Sequence, residues 1–215
     1  MSESLWLRLL NGPMPGCESN LGQLQAHVAA SCITAVDLLR NYKRLGEVCN
    51  HEDFGDAIAH CIAPEAVPPY LWYMADKITP FYREQLHTAL LRARPSPQAR
   101  SVAVLVDMVA DMHAPVCPGL TRLEMAASYA VTLQNYRIFT VGAGLAVLDG
   151  AVGLGGIDRI LLQHPSATSH AERAARDLLQ FGKFDELIIF TDKVIDPALR
   201  IDVHVVTEPG QYLLR

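Results

Sequence analysis

The chain predicts an α+β protein that is predominantly α-helical, with a helical body over about residues 19–182 and a small C-terminal β element over about 184–215. Three observations carry that expectation. Apolar residues recur at spacings of three and four through most of the first two-thirds, which is the helical period. Prolines and glycines punctuate the same region at turn-like intervals, without the repeated strand–helix alternation of a parallel sheet. After residue 184, two runs rich in β-branched residues, ELIIF and RIDVHVV, change the pattern to strand chemistry.

Taken in order, Ser19 or Asn20 can cap a long helix, LGQLQAHVAASCITAVDLLRNYKRL, with Leu21, Leu24, Val28, Cys32, Val36 and Leu39 on one stripe. Gly46 suits its end. A shorter helix fits EDFGDAIAHCIA, and Pro68-Pro69 marks a break before YLWYMADKI. PFYREQLHTALLRAR follows with Pro80 at a first helical position. After the turn Pro95-Ser96-Pro97, QARSVAVLVDMVADMH is apolar apart from Asp107, Asp111 and its polar ends, and is expected to form a central helix. Thr121 and Glu124 make a capping box for RLEMAASYAVTLQNYR. A helix is expected near 157–163, and Ser169 caps HAERAARDLLQF with Gly182 closing it. Asp196-Pro197 separates the two strand-like runs, Glu208-Pro209-Gly210 turns the chain, and QYLLR can add a last strand. The length suits a single domain over 1–215 and admits a subdivision into 1–137 and 138–215.

Composition limits the function classes. Half of the residues are hydrophobic and only 19% are charged, against about a quarter in an average soluble domain. Such a chain can bury a large core and still leave apolar surface for a partner. A net charge of −5 argues against general nucleic-acid binding, which would need a local patch drawn from Arg92, Arg94, Arg100 and Arg173 or Arg176. The five cysteines are odd in number and far apart, as expected of reduced thiols in an intracellular, cytoplasmic protein rather than of a disulfide scaffold. The first residues lack the basic region and apolar length of a signal peptide.

The stretch TVGAGLAVLDGAVGLGG holds six glycines in seventeen residues. A dinucleotide fingerprint is disfavoured, because Val147 stands where the third glycine belongs and no acidic residue follows at the required distance. A membrane span is disfavoured by the glycine and alanine content and by Asp149 near its middle. Close packing is the favoured reading, with Gly142, Ala146 and Gly150 forming a smooth face on a short helix.

Two constellations have the composition of chemical sites. Cys49, His51, His60, Cys61, His113 and Cys117 could contain four zinc ligands, although their spacings match no finger or ribbon. Asp107 and Asp111 at i, i+4, with His113 and Cys117 behind them, could serve a metal- or thiol-dependent enzyme, or pair with Arg92, Arg94 or Arg100. Neither carries a diagnostic motif, and no cofactor is expected. The aromatic, proline-braced segment holding Tyr70, Trp72, Tyr73, Phe81 and Tyr82 has the composition of an interface. A tail with Val203, Val205 and Tyr212 in strand-forming sequence has the composition of a pairing edge. The resulting expectation is a non-enzymatic, self-associating structural or adaptor protein whose partner is itself or another protein.

Overall fold

The computed structural model describes residues 21–94, 101–133, 136–181, 184–193 and 195, together with the backbone of 202–206. The chain is α+β and mainly helical, and its contacts divide it into two units that meet in sequence at Ala93 and Arg94. This division falls earlier than the 137/138 subdivision that composition suggests.

The first unit is helical: α1 (Leu21–Ala29), α2 (Ala35–Arg40), α3 (Tyr42–Val48), α4 (His51–His60), α5 (Pro69–Ile78) and α6 (Arg83–Arg92). The expected long first helix is thus three helices. Ser31 takes a left-handed φ of 50°, which breaks the first, and Thr34 then caps α2 by accepting the Asp37 amide. Asn50 caps α4 in the same manner, from the Glu52 amide. Phe54 is fully buried and meets Tyr82 edge-to-face at 5.2 Å, and Trp72 has no exposed surface.

The second unit carries a five-stranded sheet, β1 (Val102–Asp107), β4 (Tyr136–Val141), β5 (Leu145–Val147), β6 (Glu186–Phe190) and β7 (Asp202–Val206), in the order β5-β4-β1-β6-β7. All neighbours are parallel except β5, which pairs antiparallel with β4. A separate two-stranded ribbon pairs β2 (Pro115–Cys117) with β3 (Leu120–Thr121). The helices are α7 (Arg122–Ala130), α8 (Gly153–Leu161) and α9 (Ala171–Phe181).

The main correction to the sequence reading lies at β1. VAVLVD was expected inside a central helix and is the central strand, and with β4 and β5 it places sheet well upstream of residue 184. The physical reason is burial on both faces. Ala103 and Leu105 pack with Ala171, Ala174 and Ala175 of α9, while Val104 and Val106 on the other face are equally buried. A strand covered on both sides is apolar throughout and loses the alternation by which strands are recognised. The glycine stretch is corrected as well: Gly142 ends β4 in a turn, Ala146 lies on β5 and Gly150 in a loop, so they share no helix face. Gly142 is nonetheless a close-approach position, since a Cβ there would sit 2.1 Å from the His164 carbonyl oxygen.

Candidate functional site at the crest of the sheet

In an open α/β sheet, the crevice for a ligand lies beyond the carboxyl ends of two neighbouring strands whose connections leave in opposite directions. Here that pair is β1 and β6: β1 continues through α7 to β4 on one side, and β6 continues to β7 on the other. The sequence places a polar residue at both ends, Asp107 after VAVLV and Thr191-Asp192 after ELIIF.

Asp107 has no exposed surface. Its Oδ2 accepts hydrogen bonds from the Thr191 hydroxyl at 2.8 Å and from the Ser169 hydroxyl, while its Oδ1 is buried without a partner. Ser169 Oγ also accepts the Ala171 amide at 3.3 Å, so one carboxylate ties β1, β6 and the start of α9 together. Burial raises the Asp107 carboxyl above the ordinary carboxylate range; the two hydroxyl donors pull it back, and the negative charge of Asp192 pushes it further up.

Beside this knot lies an ionic bridge. Lys193 Nζ reaches Asp111 Oδ2 at 2.7 Å and Asp192 Oδ2 at 2.8 Å. The Lys193 hydrogen bond holds Asp111 below the ordinary carboxylate value, and both carboxylates raise the lysine. Asp192 is nearly buried and its Oδ1, like that of Asp107, lacks a partner among the described residues. From this crest a groove of about 630 Å³ runs along α9, lined by Ser169, His170, Arg173, Arg176 and Lys193 among others. The groove can thus hold a body along α9, next to the Lys193 bridge, while the Asp107 carboxylate itself is enclosed.

Asp107 and Asp111 are brought to one site, but by a strand end and the 3-10 helix Ala110–His113 rather than by i, i+4 helical spacing. Their partners are hydroxyls and Lys193, not the arginines that were candidates. Arg92 instead donates to the Ala59 carbonyl, Arg94 to that of Leu133, and Arg176 pairs with Glu172. Arg100 lies outside the described residues. His113 is exposed and Cys117 lies on β2. In the first unit, His51 Nδ1 bonds the Tyr82 hydroxyl at 2.6 Å, His60 Nδ1 the Asp56 carbonyl, and burial pushes the Cys61 thiol up to about 11. Burial raises the Cys49 thiol too. Among the described residues no three His, Cys, Asp or Glu side chains form a metal-ligand group.

The aromatic segment is mostly core. Tyr70, Trp72, Tyr73 and Tyr82 are buried, whereas Phe81 is 74% exposed. Val203 and Val205 lie on β7, which pairs with β6 of the same chain; Tyr212 lies outside the described residues. Thr191, Asp192 and Lys193 were not singled out from sequence, and Ser169 was expected only as a helix cap. The available signal was the abrupt polar step that ends each all-apolar run, VAVLV-Asp and ELIIF-Thr-Asp.

No protein-family model and no curated protein matches this sequence. Its fold is similar to that of the RO (RSR) protein from Deinococcus radiodurans, with a TM-score of 0.52 and 13% identity, over 77% of this chain and 41% of that protein. This chain therefore spans less than half the length of that protein. No helix among the described residues is long and apolar enough to cross a membrane.

Proposed function

We propose that this chain is a non-enzymatic structural or adaptor subunit acting through protein–protein contact, with a second copy of itself as partner, and that the crest of the sheet is its contact point. The observation that supports this reading most is the pair of buried oxygens, Asp107 Oδ1 and Asp192 Oδ1, which have no hydrogen-bond partner among the described residues and lie where two strand connections diverge. Buried polar atoms in native proteins are nearly always satisfied, so each exception calls for an explanation. The crest also carries acids and bases side by side, Asp111 and Asp192 next to Arg173 and Lys193. A surface of both signs can complement its own copy across a two-fold axis. The net charge of −5 favours a protein partner over nucleic acid.

The rival reading, an enzyme built on Asp107, Asp111, His113 and Cys117, has weaker support. Asp107 is held by two hydroxyls and Asp111 by a lysine, so neither is poised as a free base. Size-exclusion chromatography with light scattering tests the proposal. The expected mass rises above the 23.6 kDa monomer as the protein is concentrated, and Lys193→Glu, which puts a third acid in place of the shared partner of Asp111 and Asp192, returns it toward monomer. A monomer at every concentration overturns it.

A further inference from the structure

Away from the crest, a hollow of about 160 Å³ lies where β4 begins, lined by Arg94, Tyr136, Arg137, Asp149 and Gly150 among others. Arg94 is partly buried and incompletely used. One Nη2 donates to the Leu133 carbonyl at 3.0 Å, and its guanidinium lies 6.0 Å from the centre of the Tyr136 ring. Among the described residues its buried Nε has no acceptor and no carboxylate forms an ion pair with it. A buried guanidinium donor with nothing to bond is an uncommon and costly arrangement.

Arg137 and Asp149 line the same hollow. Arg137 is 65% exposed and reaches Asp149 only at 4.0 Å, from a carboxylate that is itself 77% exposed. The Tyr136 hydroxyl is committed to the fold, lying 3.2 Å from the carbonyls of Val131 and Ala151, so Tyr136 offers the hollow its ring face. Arg159 donates to the Asp149 carbonyl and fixes that loop from behind.

We infer that Arg94 and Arg137 form a binding site for a small oxyanion, a phosphate or carboxylate group, stacked over Tyr136. The arginine fork matches the oxygens of either group through paired hydrogen bonds, and the Tyr136 ring lies within cation–π range of Arg94. The hollow is several times the roughly 30 Å³ that one water occupies, so an oxyanion fits with solvent beside it. The site is separate from the crest and independent of how the chain associates.

Isothermal titration calorimetry on the full chain tests it, with inorganic phosphate and acetate as separate titrants at constant ionic strength. Saturable one-to-one binding of at least one anion is expected, and the preferred titrant distinguishes a tetrahedral from a planar ligand. Arg94→Lys keeps the charge but removes the fork and weakens binding tenfold or more. Arg137→Gln weakens it severalfold, and Lys43→Gln, an exposed change on α3, leaves it unchanged. Arg94 also anchors the Leu133 carbonyl; if its variant fails to fold, exposed Arg137 carries the test alone. Absence of saturable heat with both anions, or wild-type affinity in a folded Arg137→Gln and a folded Arg94→Lys, overturns the inference.

Discussion

At Asp107 one carboxylate bears opposing demands. Its hydroxyl partners favour the charged form and its burial the neutral one, and burial wins, since the folded carboxyl titrates above its ordinary value of 3.8. The folded state therefore binds its proton more tightly than the unfolded chain. The stability linked to this group is greatest at low pH and is lost as pH rises from the ordinary carboxylate range through the raised one. Asp107→Asn keeps an acceptor for Ser169 and Thr191 and never ionises. Denaturant titrations across the mildly acidic range are expected to show this decline in the wild type and a flatter profile in the variant. Gly142 makes a second single-residue prediction. A methyl group there meets the His164 carbonyl oxygen, which is backbone and yields poorly, so Gly142→Ala is expected to cost about 1–3 kcal/mol by equilibrium unfolding. Sequence reading had singled out Asp107, Asp111 and Gly142. It could not supply their reasons, because Ser169, Thr191 and Lys193 lie 62, 84 and 82 residues from the acids they contact.

Among the elements, those legible in the sequence are fixed by local chemistry. Thr121 and Glu124 form the reciprocal capping box at the start of α7, as their spacing predicts, and ELIIF is a strand. Thr121→Ala removes the hydroxyl acceptor for the Glu124 amide and is expected to cost about 1 kcal/mol, read as a lowered midpoint in thermal or denaturant unfolding. The elements that were misread are fixed by what surrounds them. VAVLVD has six buried positions in a row, which periodicity alone does not distinguish from a buried helix. The glycine stretch was misassigned for another reason: its turn after β4 admits a three-residue return strand, Leu145–Val147, too short to give a period of its own. That return strand leaves Leu145 and Val147 about half exposed at one edge of the sheet.

For the whole molecule, the division into two units explains why composition described it better than pattern did. High apolar content announced a large core, but its division at Ala93 and Arg94 follows from which segments touch. Within the sheet, protection should follow position. Amide hydrogen exchange is expected to be slowest in β1, paired on both sides and sealed on both faces, and faster in the edge strand β5. Equal rates in these two strands would contradict the strand order. The central place of β1 also sets a schedule for biosynthesis. Its partner β4 follows within about thirty residues, whereas β6 follows only after about eighty. Until then a nascent chain carries the flank of β1 as an open, wholly apolar edge, the feature that recruits chaperones and seeds aggregation. A message truncated before codon 186 would leave its product in that state permanently.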